Sequence, residues 1–141
     1  MKTIVALAVS IALASALFRP MAMAFPTLPA DLQMVQPDPS LSKRLSAFLG
    51  KWEGPSGIIQ ICLIVEKIEE EKASLYIWRS GNIDSFRFPY WERREAKVIK
   101  DRGIYKIWYY GPFGSVYFTR EGEYLVMLNP LFWTGNFIRV P

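Results

Sequence analysis

The stretch Ile59-Gln60-Ile61-Cys62-Leu63-Ile64-Val65-Glu66 indicates the fold class, because its side chains follow the two-residue period of a β-strand. One alternating set is wholly apolar and comprises Ile59, Ile61, Leu63 and Val65. The other set includes the polar residues Gln60 and Glu66. We therefore expect a strand whose apolar set faces a hydrophobic core.

Further β-rich segments follow this strand and are separated by short charged or glycine-containing turns. The turns are predicted at residues 69–72, 80–82, 101–103, 111–114 and 121–123. About seven or eight short strands at this spacing indicate antiparallel neighbours, since parallel strands need longer crossovers. The sequence thus predicts a mainly β domain, a small antiparallel up-and-down barrel or an incomplete barrel, preceded by one short helix.

Two different segments precede the strands. Residues 25–40 contain four prolines, a density that excludes a helix interior or a central strand. We expect an extended leader that either wraps the body or stays loose. The next segment, from Ser40 to Gly50, predicts an amphipathic helix of about two to three turns, with Ser40 as N-cap and Gly50 in the left-handed position after its end. Its apolar face comprises Leu41, Leu45, Phe48 and Leu49.

The N-terminus has the layout of a secretory signal peptide. Lys2 precedes an uncharged apolar run, and Ala22-Met23-Ala24 matches a cleavage site, with Ala14-Ser15-Ala16 as a second candidate. The alternative is an uncleaved anchor, but the run is shorter than the roughly 20 residues that a spanning helix needs. We expect a signal peptide at 1–24, a proline-rich leader at 25–40 and a β domain at 41–141. The mature protein would be extracytoplasmic, periplasmic or secreted, without an integral membrane span.

Charge and cysteine content restrict the partners. The chain carries a net charge of +4, and cleavage after Ala24 would remove Lys2 and Arg19 and leave +2. That charge is too small to predict binding to nucleic acid. Cys62 is the single cysteine, so an internal disulfide is impossible. We expect it to be a small buried hydrophobe, the alternatives being an intermolecular disulfide or a reactive thiol.

The residue types do not favour catalysis. The chain contains no histidine, which removes the commonest general base and the commonest metal ligand. A single cysteine excludes a thiolate zinc site. Glu92 and Glu95 leave a carboxylate hydrolase as a remote hypothesis, because glycoside hydrolysis needs two acids at a set separation across a cleft. We expect no enzymatic activity, no metal and no cofactor.

The segment Gly50-Lys51-Trp52, at the start of the strand region, resembles the Gly-x-Trp motif of the lipocalins and the wider calycin group. In that family the Trp lies across the closed end of the barrel, and an Arg near the end of the last strand packs on it. The resemblance implies these roles for Trp52 and Arg139, with a cation–π contact between them. The stretch that follows, Leu63 to Ile68 and then Ala73 to Trp78, also resembles small bacterial exported proteins that have a lipocalin-like domain.

The aromatic residues predict where a ligand or partner binds. The chain has five Trp, seven Tyr and nine Phe, more than a small core can hold. The candidate binding residues are Phe88, Tyr90, Trp91, Trp108, Phe132 and Trp133. We expect a small apolar or amphipathic ligand in a lipocalin-like barrel. The alternative is a protein-interaction or envelope structural module with a filled core and no ligand cavity.

Overall fold

Ten strands and one helical turn form the secondary structure of the described residues. The computed structural model describes residues 26–57, 59–80, 82–83, 86–87, 91–112, 114–129 and 133–141. The helix α1 is Lys43–Ser46. The strands are β1 Gly50–Ser56, β2 Ile59–Ile68, β3 Lys72–Arg79, β4 Asn82–Ile83, β5 Phe86–Arg87, β6 Glu92–Asp101, β7 Ile104–Gly111, β8 Gly114–Glu121, β9 Tyr124–Asn129 and β10 Trp133–Val140.

Eight of these strands close into an antiparallel barrel. The order around it is β1-β2-β3-β6-β7-β8-β9-β10, and β10 pairs with β1 to complete the ring. The short strands β4 and β5 pair only with each other, between β3 and β6. The predicted mainly β, up-and-down barrel is confirmed, and it is closed rather than incomplete. Closure gives every barrel strand two hydrogen-bonded neighbours.

Strand β2 shows why the barrel forms where the sequence indicates. Ile61, Leu63 and Val65 belong to the buried core, as their alternation predicts. The opposite set is buried as well, including Cys62, Ile64 and Glu66. On that outer side the leader crosses the strand, and the Val35 amide donates a hydrogen bond to the Glu66 carbonyl at 3.0 Å.

The helix is shorter than the sequence predicts. It spans only Lys43–Ser46, and its N-cap is Ser42, whose hydroxyl accepts from the Leu45 amide at 3.3 Å. Ser40 is not the cap, because its amide and hydroxyl both donate to the Asp38 carboxylate. Gly50, with φ at 124°, begins β1 instead of ending the helix. The helix is thus one turn that carries Leu45 and leads to Phe48, both fully buried.

Trp52 lies across the end of the barrel that adjoins α1, which we call the closed end. Its indole is fully buried and donates through Nε1 to the Phe48 carbonyl at 2.9 Å. The Arg139 guanidinium lies 4.7 Å from the centre of the ring, and Arg120 lies at 4.6 Å. Arg139 also donates to the Ala47 carbonyl at 2.7 Å. The contact that the resemblance implies is therefore present, with Arg120 as an additional cation.

Large side chains fill the middle of the barrel. Tyr109 and Phe118 stack with their ring centres 6.2 Å apart, and Phe118 meets Phe137 edge-to-face at the same distance. Aliphatic residues from the remaining strands surround these rings, among them Leu63, Leu75, Ile77, Ile107 and Leu125. Fully buried aliphatic and aromatic side chains each stabilise the fold by about 1.5–3 kcal/mol relative to exposure.

Candidate functional site

The end of the barrel opposite Trp52, which we call the open end, is where a lipocalin-like barrel would admit a ligand. Strand β1 finishes there at Ser56, β3 at Arg79 and β7 at Gly111. Strand β6 begins there at Glu92. Because residues alternate along each strand, Arg79 shares the inward side with the core residues Leu75 and Ile77. The open end thus directs charged side chains inward.

Four of these inward residues, Arg79, Glu92, Arg94 and Tyr109, form a polar cluster that we call the mouth group. Arg79 donates through Nη1 to the Glu92 carboxylate at 2.8 Å and through Nη2 to the Tyr109 hydroxyl at 3.3 Å. Arg94 forms an ion pair with the other Glu92 oxygen. One carboxylate therefore serves two guanidiniums, and the cluster carries a net positive charge beside an apolar core.

The surroundings of the mouth group change the acidity of two of its members. Burial acts to raise the pKa of the Glu92 carboxyl, but hydrogen bonds and charges from Arg79 and Arg94 outweigh it and hold that pKa below its ordinary value. Burial raises the pKa of Tyr109, and the Arg79 guanidinium opposes that rise only in part. At neutral pH the carboxylate is ionised and the phenol is neutral.

Only a small cleft separates the mouth group from the apolar wall. Its volume is about 40 Å³, and the lining residues include Ser56, Ile59, Arg79, Tyr109 and Met127. A cavity of this size holds one or a few water molecules. Pockets that bind drug-sized ligands are about 300–1,000 Å³. Among the described side chains, the open end has room for a small polar group and not for the body of an apolar ligand.

The predicted binding residues fall into two groups. Phe88, Tyr90 and Phe132 lie outside the described residues, and of Trp133 only the backbone is described, as the start of β10. Trp91 and Trp108 are described, and both are half-buried. Trp91 donates through Nε1 to the Thr27 carbonyl of the leader at 2.7 Å. Trp108 lies on the outward side of β7, with the Lys97 ammonium 5.7 Å from its ring centre.

The structure does not bring these two tryptophans together. Trp108 is opposite Lys97 in the β6–β7 register. Lys97 lies six residues beyond Trp91, a separation of about 20 Å along an extended chain. The two indoles therefore belong to different surfaces, one under the leader and one on the outside of β7.

Trp108 belongs to an outer aromatic face, which we define as Trp108, Tyr110, Tyr117 and Leu128. Trp108 pairs with Tyr117 across β7 and β8, and Tyr117 pairs with Leu128 across β8 and β9. Tyr110 is 70% exposed. The alternation around Lys106 in the sequence already indicates that Trp108 and Tyr110 point outward. The pairing with Tyr117 and Leu128 needed the register, which the sequence does not specify.

The comparisons with known proteins found no match: no family model, no curated protein and no solved structure resembles the chain at a significant level. The architecture itself, a small eight-stranded antiparallel barrel, is compatible with a lipocalin-like fold. Within the described ranges no helix has the length and apolar character to cross a membrane. In the same part of the chain, acidic and cysteine side chains nowhere gather in threes as metal ligands would.

Proposed function

We propose that the protein is a non-enzymatic, extracytoplasmic, lipocalin-like module that has a filled barrel core and binds a protein partner through its outer aromatic face. The observation that carries the proposal is the contrast between inside and outside. The rings of Tyr109, Phe118 and Phe137 occupy the interior. Tyr110 and Leu128 are exposed on the outside, and Trp108 and Tyr117 beside them are half-buried.

The chemistry of the outer aromatic face suits a protein partner. Tyr and Trp combine a large apolar area with a polar atom, which explains their enrichment at interfaces. Lys97 lies on the same outward side of β6 and adds positive charge at the border, whereas the charge of Lys106 on β7 is paired with Asp101. The partner would therefore present an apolar surface bordered by acidic groups. Complementary charges at the border of an interface raise the association rate more than the affinity.

Site-specific photo-crosslinking in the native envelope tests this proposal. A photoreactive phenylalanine analogue at Tyr110 should give one discrete protein adduct. The matched control is the same analogue at Lys51, which points outward from β1 on the other side of the barrel. Loss of the Tyr110 adduct on changing Tyr117 to Ser would locate the contact on this face. Identical adducts from both positions, or none from Tyr110, would contradict the proposal.

A second candidate is the binding of a small apolar or amphipathic ligand at the open end. The observation that favours it is the mouth group, in which two guanidiniums share one carboxylate beside apolar residues. An anionic head group would fit that charge, but its apolar tail requires the core to repack around a cleft of about 40 Å³. Native mass spectrometry of protein from its own host separates the candidates, since one predicts a retained small molecule and the other a protein.

A further inference from the structure

A groove at the closed end has a composition that neither the barrel closure nor the outer aromatic face explains. It lies between α1 and the turns that join β6 to β7 and β8 to β9, and its volume is about 360 Å³. Its lining comprises Arg44, Ala47, Phe48, Gly103, Ile104, Tyr105, Arg120 and Gly122. Two guanidiniums therefore border a floor of apolar and aromatic carbon. The volume falls in the range of small-molecule sites.

The positive charge at this groove is not neutralised by ion pairs. Throughout the described chain, no carboxylate oxygen lies within 4.0 Å of the guanidinium nitrogens of Arg44, Arg120 or Arg139. Arg120 donates instead to the backbone carbonyls of Gly122 at 2.8 Å and Glu123 at 3.4 Å. Carbonyl oxygens satisfy the N–H groups but leave the net charge in place.

Two of these cations also share one aromatic ring. Arg120 and Arg139 both lie against the ring of Trp52, at 4.6 and 4.7 Å from its centre. Burial lowers the pKa of Arg120, the nearby charge of Arg139 lowers it further, and the Glu123 carboxylate offsets these effects in part. An anion bound beside Arg120 would relieve this repulsion, because opposite charge favours the ionised form of both groups.

The floor of the groove determines what kind of anion fits. Ile104 is 54% exposed although it is a large aliphatic residue, and the half-buried Tyr105 lies beside it. A simple inorganic anion would use the guanidiniums and leave this carbon surface in contact with water. We propose that the groove binds a small organic anion, with a carboxylate, sulfonate or phosphate group at Arg44 and Arg120 and an apolar body over Ile104 and Tyr105.

The test uses two fluorescent probes of similar shape and different charge. The anion 8-anilinonaphthalene-1-sulfonate should bind the folded protein more tightly than its uncharged analogue N-phenyl-1-naphthylamine. Binding of the sulfonate should shift the amide NMR signals of Gly103 and Gly122, which line the groove. Arg44→Gln should weaken sulfonate binding about threefold to fivefold, as expected for one exposed charged contact.

The adjacent helix residue provides the matched control. Lys43 is exposed like Arg44 and precedes it in α1, but it does not line the groove. Lys43→Gln removes the same charge and should leave sulfonate binding nearly unchanged, whereas Arg44→Lys should recover part of it. Equal weakening by both Gln variants would indicate a diffuse charge effect and overturn the proposal. Equal binding of the neutral probe, or unshifted Gly103 and Gly122 signals, would also overturn it.

Discussion

At the scale of single residues, Cys62 shows how burial controls chemistry. The thiol is 2% exposed, and burial, with a smaller contribution from the Glu53 carboxylate, raises its pKa to about 12. The thiolate is the reactive form, so the native protein holds almost none of it at neutral pH. Burial was expected from the apolar run around Cys62. The raised pKa also argues against the two alternatives, a reactive thiol or an intermolecular disulfide.

We therefore predict that Cys62 reacts slowly with 5,5′-dithiobis(2-nitrobenzoate) at pH 8 in the native protein and rapidly in urea. The sign of the pH effect follows from the same pKa. The folded state disfavours the thiolate, so its contribution to stability is complete below the unfolded pKa near 9 and decreases as the pH rises from there towards 12. Denaturation of a Cys62→Ala variant should lack this alkaline decrease. Fast native labelling at pH 8 would contradict the prediction.

Glu92, in the mouth group, makes the stability of the protein depend on pH in the acidic range. Its pKa is held below the ordinary value of 4.5 by Arg79 and Arg94, so its contribution to stability is present above 4.5 and is lost as the pH falls through the lowered folded value. We predict that Glu92→Gln destabilises the protein by about 3 kcal/mol at pH 7, because it leaves two buried or half-buried guanidiniums without their carboxylate. Urea denaturation between pH 2.5 and 7 measures both effects.

The control for that experiment is Glu95→Gln, on the same strand but facing outward. Its carboxylate accepts a hydrogen bond from the Ser74 hydroxyl at 2.9 Å and belongs to no cluster of arginines. Its substitution should cost less than about 1 kcal/mol. If Glu92→Gln and Glu95→Gln gave the same acid profile, the mouth group would not be the source of it.

At the scale of elements, one buried carboxylate helps to hold the leader on the barrel, together with the hydrogen bonds that Val35 and Thr27 make with β2 and Trp91. Glu66 is 3% exposed on the outer side of β2. Its Oε1 accepts from the Gln33 amide at 2.8 Å, and its Oε2 accepts from Arg93 at 3.1 Å. The Arg93 guanidinium in turn lies 5.5 Å from the ring centre of Tyr76. A segment without helix or strand thus acquires a fixed position through a few charged contacts.

We predict that Glu66→Ala loosens the leader and costs about 1–3 kcal/mol of stability, because the Gln33 amide loses its acceptor in a partly buried site. Thermolysin should then cut between residues 28 and 35 faster than in the parent protein. Glu69→Ala is the control, since that carboxylate is more exposed and pairs with surface lysines. Equal cleavage rates in the two variants would show that Glu66 does not hold the leader.

At the scale of the whole molecule, the seam between β1 and β10 closes the barrel, and glycines make its close approach possible. A Cβ on Gly54 would overlap the Asn136 carbonyl oxygen, and a Cβ on Gly135 would overlap the Pro55 carbonyl oxygen. The obstruction is backbone in both cases, so it cannot move aside as a flexible side chain would. Larger residues at these positions would have to separate the two strands.

We predict that Gly54→Ala costs at least about 3 kcal/mol, the upper range for added bulk in a packed interior, and that Gly135→Ala behaves alike. Gly103→Ala is the control, because a Cβ there meets no atom within 4 Å, although its φ of 81° imposes some strain. Its cost should be near 1 kcal/mol. Thermal unfolding compares the three variants, and an unperturbed Gly54→Ala protein would mean that the seam can widen freely.

The sequence predicted the fold class because several separate local patterns indicate the same overall architecture. The alternation at Ile59–Val65, the turns at 101–103 and 121–123 and the Gly50-Lys51-Trp52 motif all point to one antiparallel barrel. The sequence pattern overestimated the length of the helix. The apolar spacing of Leu41, Leu45 and Phe48 does not reveal that the Asp38 carboxylate accepts hydrogen bonds from the backbone and side chain of Ser40. Competing local hydrogen bonds of this kind determine where a short helix begins.

The binding surface was less predictable than the fold. Trp91 and Trp108 were grouped by residue type, but strand register and the path of the leader put them on separate surfaces. The mouth group was missed because Arg79 belongs to β3, whereas Glu92 and Arg94 belong to β6, and only the pairing register of these two strands brings Arg79 to Glu92. The one signal in the sequence for Arg79 is its spacing from Leu75 and Ile77, because alternate residues of a strand point to the same side. However, an arginine at this point in the sequence is equally typical of the end of a strand.

The up-and-down order has a consequence for how the chain folds. All barrel pairings except one join barrel strands that are consecutive in the chain, with the short β4–β5 pair inserted between β3 and β6, and the exception pairs the first barrel strand with the last. Sequential hairpins form quickly, whereas closing a loop of this length is slow and waits for the final strand. Until β10 is synthesised, β1 and β9 each present an unpaired edge that can recruit another chain. Nascent molecules are consequently most prone to aggregate in the interval between the emergence of β9 and the pairing of β10 with β1.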